Sequence, residues 1–327
     1  ALPTINSSIV LEGNGFTIDG NNSFQVLHVS GTNGLTLNNA TITGGSGDVS
    51  GAGIGCTYCI MTVNNSTITG NSSNINGGGI YMNDGSRVVI NNSTISGNTA
   101  YMGGGGIDVF TAYVGGELTI NNSTITGNST SDGSSGGGIS ATYVYNPLSV
   151  QLNRTIVSGN TSLAAIRAEI ECWSDCYGNN YNIIGYGGSA RSEGFTPSGT
   201  DVVPAGALST VLDTNLADHG GPTFIHALVL GSPAIDIAPS AACSAAPVNG
   251  VDQRGMARNI DGLGDGDAGP GLECDAGAHE LQSPTAVTFA GLTSSGAGKA
   301  APAALGATGV LALLTGGWLA RSRRRKV

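Results

Sequence analysis

The chain has 327 residues, of which 54 are glycine, 39% are hydrophobic and only 10% are charged. This composition excludes a coiled coil or helical bundle, which needs Ala, Leu, Glu and Lys at helical spacing, and it excludes disorder, which needs low hydrophobicity and high charge. Residues 1–298 carry six basic residues against 22 acids, and such an acidic body repels phosphates, which excludes a nucleic-acid partner.

A sequence repeat fills the first half of the chain. Its clearest copies are VNNSTITGN, INNSTISGN and INNSTITGN, within five related segments. We align as their central residues Ile42, Ile68, Ile95, Ile125 and Ile156, which are 26, 27, 30 and 31 residues apart. A Gly-rich marker follows each of the first four copies and ends at Ile54, Ile80, Ile107 and Ile139.

Each repeat holds three short runs in which apolar and polar residues alternate, and this pattern is typical of strands. One such run cannot bury its apolar face alone, so successive copies must stack. We therefore predict an all-β fold, a single-stranded parallel β-helix with inward columns of Ile and Val. Asn91, Asn92 and their equivalents are expected to stack as amide ladders at the turns. An antiparallel sandwich also has short strands, but it does not require residues to recur at a fixed period.

The repeats resemble those of bacterial surface and autotransporter-like proteins, such as the polymorphic outer-membrane proteins of chlamydiae, through their GGGI markers. The opening LPTINSSIVLEGNGFTIDG is similar to the segment that follows a CSLREA-type N-terminus. The resemblance covers residues 1–185 and implies a right-handed, pectate-lyase-like solenoid. The opening lacks a signal peptide, and we expect that an N-terminal part is missing.

Residues 186–281 predict a different unit. GGPTFIHALVLGSPAID, VDQRG and CDAGAHE occur there in order and resemble the end-of-domain motif of the choice-of-anchor Q family, whose members are anchored surface proteins. The open end of a solenoid exposes strand edges and needs a cap. The residues expected to pair and close that end are Asp236, Asp252, Arg254, Arg258, Asp275 and Glu280.

The cysteines predict an oxidising compartment, because an even number in a Gly- and Asn-rich chain is typical of disulfides. They are Cys56, Cys59, Cys172, Cys176, Cys243 and Cys274. A Cys243–Cys274 disulfide would fasten the cap. The alternatives are buried thiols, or a metal site built from the first two pairs, whose separation is far from that of a compact zinc ribbon.

The C-terminus predicts an anchor. Residues 282–299 have the composition of a flexible linker, and residues 300–320 carry no charge before the basic end RSRRRKV. A helix of 21 uncharged residues is long enough to span a bilayer with the basic cluster on the cytoplasmic side. We therefore predict a transmembrane or sorting helix in residues 300–327, with a buried core helix as the alternative. The tail contains no LPxTG motif.

One loop is a candidate cation site. Asp261, Asp265 and Asp267 lie in a Gly-rich stretch, and several carboxylates in a flexible loop suit Ca²⁺. The spacing is not that of an EF-hand. Ca²⁺ is therefore the one cofactor that the sequence suggests, and a solvated acidic turn is the alternative.

Polysaccharide chemistry on a β-helix needs paired carboxylates, or a base beside Ca²⁺ or Arg. The residues that follow the Gly-rich markers are Gly55, Tyr81, Asp108 and Ser140. Asp108 is the only acid among them and is the single candidate catalytic residue. Because no second acid occupies the neighbouring coil, the column does not by itself predict an enzyme.

Tyrosines gather around the markers and the nearby loops. Tyr81, Tyr101 and Tyr143 are candidate ligand-binding residues, with Tyr113 and Tyr145 close by in sequence. Aromatic rings along one flank can stack on sugars. The alternative is that they anchor half-buried loops.

Together these features predict a non-enzymatic bacterial cell-surface protein, either an adhesin-like or glycan-binding module or a structural stalk. It is expected to be extracytoplasmic and to meet the cell envelope through its C-terminal tail. A polysaccharide, or the surface of a host or neighbouring cell, is the expected further partner. The alternative is a polysaccharide lyase or glycoside hydrolase, which two carboxylates at glycosidase spacing on one face would favour.

Overall fold

The computed structural model describes residues 2–32, 34–173, 175–178, 180–258 and 272–282. The chain winds through three parallel sheets of seven, seven and ten strands. Sheet 1 contains Ile9–Glu12, Gly34–Asn38, Ile60–Asn64, Arg87–Asn91, Glu117–Asn121, Ser149–Asn153 and Asp175–Tyr177. Sheet 2 contains Leu27–Ser30, Ile54–Thr57, Ile80–Asn83, Ile107–Thr111, Ile139–Tyr143, Ile170–Cys172 and Ser192–Glu193.

Sheet 3 is the longest because its strands continue around a corner. It contains Thr17–Phe24, Thr41–Gly47, Thr67–Thr69, Ser72–Asn76, Thr94–Ser96, Thr99–Met102, Thr124–Thr126, Ser129–Thr130, Ile156–Val157 and Ile183–Ile184. The remaining elements are the antiparallel pair Ala238–Pro239 and Leu272–Cys274, the α-helix Ser240–Ser244, and the 3₁₀ turns Ala165–Arg167 and Leu208–Thr210. These sheets confirm the predicted all-β parallel solenoid, and the antiparallel sandwich is wrong.

The core lies between the three sheets. It is built from columns in which each inward side chain stacks on the residue at the same strand position in the preceding coil. In sheet 1 the inward column is Leu37, Val63, Ile90, Ile120 and Leu152. In sheet 3, Ile125 pairs with Val157, whereas Ile156 pairs with Thr124. Our alignment of Ile156 with the inward isoleucines is therefore wrong by one residue. A shift of one residue moves a side chain to the opposite face of the strand, and Ile156 accordingly packs outside the solenoid.

Asparagines form two ladders along the coils. The first runs at the end of sheet 1, where each side-chain amide donates to the Asn of the preceding coil, as in Asn91 Nδ2 to Asn64 Oδ1 at 2.8 Å. The residue that follows each rung, such as Asn92 or Asn122, has a φ of 45°, a left-handed conformation that Asn tolerates well. The Asn-Asn pairs of the repeat thus supply a ladder residue and a turn residue.

The second ladder is buried and comes from the Asn that ends each T-I-x-G-N segment. Asn71 donates to Asn98, Asn98 to Asn128, and Asn128 to Asn160, each at 2.9 Å. Asn160 donates to the carboxylate of Glu169 at 2.7 Å. Buried amides need such partners, because an unpaired one costs about 1–3 kcal/mol.

Three disulfides join Cys56 to Cys59, Cys172 to Cys176, and Cys243 to Cys274. The predicted disulfides are therefore confirmed. The alternative metal site is wrong, because each of its cysteines is bonded to the near neighbour in sequence.

The C-terminal segment, residues 205–258 and 274–282, is called the strap here. It contacts the outer face of sheet 3 across several coils. Thr67 Oγ1 donates to the carbonyl of Phe224 at 2.6 Å, and the amide of Ala278 donates to Thr124 Oγ1 at 3.0 Å. Ile156 and Ile183 pack with buried apolar side chains of the strap. The outward residues of sheet 3 are small or apolar, and the strap removes them from water.

The charged residues predicted to close an open end lie in the strap, on this side of the solenoid. Arg258 Nη1 donates to Glu280 Oε2 at 3.1 Å, with both side chains fully buried. Arg254 pairs with Asp252 at 2.7 Å, and Asp275 accepts from the amide of Asp236 at 2.8 Å. These bonds hold the strap segments to one another. We therefore correct the prediction of an end cap to a lateral cover, because the strap bonds to and packs on outward residues of several successive coils of sheet 3.

In the part of the chain that the structure describes, no helix has the length and apolarity needed to cross a bilayer. The linker and the predicted sorting helix lie outside the described residues, apart from Gln282. The candidate Ca²⁺ loop with Asp261, Asp265 and Asp267 also lies outside them.

Candidate functional site

One outward column of sheet 2 carries the polar residues of a candidate site. The register pairs Tyr81 with Asp108, Asp108 with Ser140, Ser140 with Glu171, and Glu171 with Glu193. The neighbours of each member point inward, as Ile and Val do around Asp108. Strand alternation therefore aims all five side chains away from the core.

A groove of about 290 Å³ opens over this column, near the lower end of the range for small-molecule sites. Its wall residues come from four successive coils. They are Asn76, Met102, Gly103, Asp108, Phe110, Asp132, Ser134, Ser135, Ser140, Thr142, Tyr143, Val144, Glu171 and Trp173.

Asp108 forms part of the groove floor and is only 2% exposed. Its Oδ1 accepts a hydrogen bond from the amide of Gly104 at 3.1 Å. Burial raises the pKa of Asp108 to about 7, and the nearby Glu171 also raises it, while the hydrogen bonds from Gly104 and Ser140 lower it. The carboxyl group therefore exchanges its proton near neutral pH.

Glu171 is the second acid of the groove and was not predicted from the sequence. Ser140 Oγ donates to Glu171 Oε2 at 2.8 Å. Burial raises the pKa of Glu171, whereas the hydrogen bond from Ser140 lowers it. Asp108 and Glu171 thus flank Ser140 in one column and sit two coils apart on one face.

A sequence signal for Glu171 exists. No Gly triplet precedes it, and for that reason the marker did not identify it. However, Ile170-Glu171-Cys172 repeats the in-out-in alternation of Ile139-Ser140-Ala141. Aligning the strands by apolar alternation, rather than by glycine, would have found the acid.

The predicted tyrosines have different positions. Tyr143 lines the groove. Tyr81 lies beside Asp108 in the column, and burial, with Asp108 and Asp84, raises its pKa to about 12. Tyr101 is exposed in sheet 3, next to the lining residue Met102, and does not line the groove.

Two aromatic residues that line the groove, Phe110 and Trp173, were not predicted from the sequence. Trp173 is 60% exposed. Tyr113 and Tyr145 stack with ring centroids 5.8 Å apart on the neighbouring loops. The groove therefore combines a buried acidic floor with exposed rings, and stacked rings of this kind can support a sugar.

The cation nearest the groove is already paired. Arg167 donates to both carboxylate oxygens of Glu193, at 2.6 and 3.0 Å, and to the carbonyl of Ser134 at 3.0 Å. Burial raises the pKa of Asp132, but hydrogen bonds from Ser134 and Ser135 outweigh it and lower this pKa. The groove wall is consequently acidic.

Metal binding finds no support among the residues that the structure describes. Within these described residues, no group of three or more His, Cys, Asp or Glu is arranged to hold an ion. The candidate Ca²⁺ residues are not among those residues, so that hypothesis stays a prediction.

A family model described as a right-handed beta helix region matches residues 4–182, which is more than half of the chain. No curated protein and no solved structure matches the chain.

Proposed function

The chain belongs to the right-handed β-helix family, and on that premise we propose that it is a cell-surface scaffold that binds polysaccharide in the groove of sheet 2. The solenoid supplies a stiff support, and the groove supplies the contacts. The observation that carries the proposal is the placement of Asp108, Ser140 and Glu171 beneath exposed aromatic rings on one face.

The acidic wall narrows the class of glycan. Asp132 and Glu171 line the groove, and no Lys, Arg or His is among its lining residues. Polymers of uronic acids or sulfated sugars would be repelled, because like charges at short range cost free energy in a partly buried site. Neutral or amine-bearing glycans fit this charge.

The proposed location is extracytoplasmic. Three disulfides support it, because such bonds persist in oxidising compartments. The apolar tail with its basic end supports attachment to the envelope. The resemblance to choice-of-anchor Q proteins points the same way, and the surface of a host or neighbouring cell is the proposed wider target.

The test measures the binding of the full chain to neutral, amine-bearing and uronic-acid oligosaccharides by calorimetry. We expect binding to the first two classes and none to the third. Trp173→Ala should weaken binding at least fivefold, since ring stacking contributes about 1 kcal/mol or more. Phe16→Ala is the matched control, because Phe16 is exposed in the first coil and outside the groove. If no class of oligosaccharide binds, the proposal is wrong.

A glycoside hydrolase is the second candidate, and one specific observation favours it. Asp108 and Glu171 lie two strands apart in one outward column of sheet 2, so a strand spacing of about 4.8 Å separates their backbones by about 9.6 Å. Inverting glycosidases use carboxyl groups about 6.5–9.5 Å apart, with room for a water molecule between them. A lyase is less favoured, because the groove wall lacks a basic residue to neutralise a uronate.

Hydrolysis is tested by following new reducing ends when the full chain is incubated with the same oligosaccharides. A hydrolase predicts their release, with loss of more than 99% of the rate in Asp108→Asn, which cannot donate a proton. Asp48→Asn is the control, because Asp48 is exposed and does not line the groove. Binding without release of reducing ends would support the scaffold function and contradict the hydrolase.

A further inference from the structure

Glu171 has an unused acceptor on the groove floor. The side chain is fully buried, and Oε2 accepts from Ser140. Among the described residues, Oε1 has no hydrogen-bond partner. The side chain of Trp173 interacts with the carboxylate and lowers the pKa of Glu171. A buried carboxylate oxygen without a donor costs free energy, and a ligand that supplies a donor would recover it.

The surroundings favour a donor that carries positive charge. The titratable groups around Glu171 are Asp108, Asp132, Arg167 and Glu193. Arg167 is held by two oxygens of Glu193 and by the Ser134 carbonyl. Its charge is thus matched by Glu193 before any ligand arrives.

Glu171 raises the pKa of Asp108, which burial already raises to about 7. Burial also raises the pKa of Glu171, whereas hydrogen bonding and the nearby Arg167 lower it. A carboxylate with one free acceptor suits a single ammonium group, since charge-assisted hydrogen bonds are about twice as strong as neutral ones.

The rest of the wall favours a sugar ring beside that ammonium. Phe110, Tyr143 and Trp173 border the floor, and aromatic faces attract both cations and the apolar faces of sugar rings. The groove opens to solvent along the coils, which allows a polymer to continue on either side of the bound unit.

We propose that the groove selects a glycan unit with a free, protonated amine, held by Glu171 Oε1 on the floor and by the aromatic wall around it. The proposal rests on the proposed polysaccharide binding and specifies its substrate class. N-acetylated or hydroxyl-bearing units of the same size lack the charge and should bind more weakly.

The experiment uses the full chain at pH 6.5 and measures the Kd of three hexasaccharides by calorimetry. They are a β-1,4-glucosamine hexamer, its fully N-acetylated form and cellohexaose. We expect the amine form to bind at least tenfold more tightly than either other sugar. Equal or tighter binding of the acetylated or neutral hexamer would overturn the amine selectivity while leaving polysaccharide binding intact.

Failure of the proposed polysaccharide binding would give a different result from failure of the amine selectivity. If no hexasaccharide binds, the proposed polysaccharide binding fails and the selectivity fails with it. A hexalysine peptide is run in parallel. If hexalysine binds as tightly as the glucosamine hexamer, charge alone is recognised and the proposed sugar class is wrong.

The variant Glu171→Gln keeps the size of the side chain and removes its charge. It should lose the tenfold preference for the amine while still binding cellohexaose. Glu117→Gln is the matched control, because Glu117 is exposed in sheet 1 and pairs with Arg87. A preserved preference in Glu171→Gln would overturn the proposal. If this variant does not fold, the comparison of the three hexamers with the wild-type chain still decides the question.

Discussion

The side-chain amide of Asn160 donates to the buried carboxylate of Glu169 at 2.7 Å. Glu169 also accepts from the backbone amides of Gly159 and Asn160, so one carboxylate ends a ladder that four asparagines carry through the solenoid. The next coil has no Asn at this place, and the carboxylate replaces the missing rung. Burial raises the pKa of Glu169 to about 7, while these hydrogen bonds lower it.

The ladder predicts a large loss of stability when an internal rung is removed. Asn128 is fully buried, donates to Asn160 and accepts from Asn98. Asn128→Ala should reduce the free energy of unfolding by about 3 kcal/mol, because it leaves buried partners without hydrogen bonds. Urea unfolding measures the change. Asn74→Ala, which removes an exposed amide bonded to Asp48, should cost less than about 1 kcal/mol, and equal costs would contradict the ladder's role.

The raised pKa of Asp108 predicts that replacing this residue stabilises the folded chain increasingly as the pH rises. Its pKa is about 7 in the folded chain and 3.8 in the unfolded chain. A raised native pKa contributes stability that is fully present below about pH 4 and is lost as the pH rises through 7. Asp108→Asn does not ionise, so its stability relative to wild type should rise by about 4 kcal/mol between pH 4 and pH 8.

Denaturant unfolding at pH 4, 6 and 8 tests this expectation. Asp48→Asn serves as the control, because the Asp48 side chain is exposed and the substitution should give a flat difference. A flat difference for Asp108→Asn as well would mean that the carboxyl group is not desolvated in solution.

The lowered pKa of His279 predicts that acid reduces the stability of the strap. Its Nδ1 accepts from the amide of Leu228 at 3.2 Å. Burial, together with the nearby Arg254, His219 and Arg258, lowers the pKa of His279 to about 3. A depressed histidine pKa gives stability that is complete above pH 6.5 and is lost as the pH falls toward 3, by about 1.4 kcal/mol per pH unit.

His279→Asn retains an acceptor near the same place and cannot be protonated. We expect its stability to fall less steeply than that of wild type between pH 6.5 and pH 4.5, by about 2–3 kcal/mol in total. The measurement is chemical unfolding across this range. His28→Asn, on the outer face of sheet 2, should follow the wild-type slope. Parallel slopes for His279→Asn and wild type would contradict the prediction.

The close approach of the strap to sheet 3 explains why position 277 carries glycine. Its φ is +96°, and a Cβ atom there would lie 2.7 Å from Ile156 Cδ1 and 3.0 Å from Thr124 Oγ1. Gly277→Ala adds backbone strain of about 1–2 kcal/mol and also pushes the strap from the sheet. The expected loss is about 3 kcal/mol or more, which thermal and urea unfolding can measure.

Gly255→Ala separates the two causes. Gly255 has a φ of +83° but no atom within 4 Å of its added Cβ, so this variant carries the strain without the clash. It should cost about 1–2 kcal/mol. Equal losses in the two variants would show that the close approach of Gly277 to Ile156 is unimportant.

The repeats made much of the solenoid predictable. Short alternating runs that recur every 26 to 32 residues cannot bury their apolar faces singly, so their stacking follows from the sequence. The disulfides followed from the number and grouping of the cysteines. The exact register did not follow in the fifth copy, where Val157 rather than Ile156 continues the inward column, because local composition does not distinguish two adjacent β-branched residues.

The candidate site was only half predictable. Asp108 and Ser140 follow Gly-rich markers and were identified together, whereas Glu171 follows no marker. The three residues lie far apart along the chain and meet only because each coil places the same strand position in one column. Likewise, the pairing of Arg258 with Glu280 was expected from their charge, but their position beside sheet 3 was not.

The sequence by itself determined that this chain forms a parallel solenoid with amide ladders and disulfides, because those features repeat or depend on local spacing. Only the tertiary structure decided that the C-terminal segment covers the outer face of sheet 3 and that Glu171 lies in the same outward column as Asp108 and Ser140. Both depend on contacts between distant residues, whose burial and charge act only after the coils have stacked.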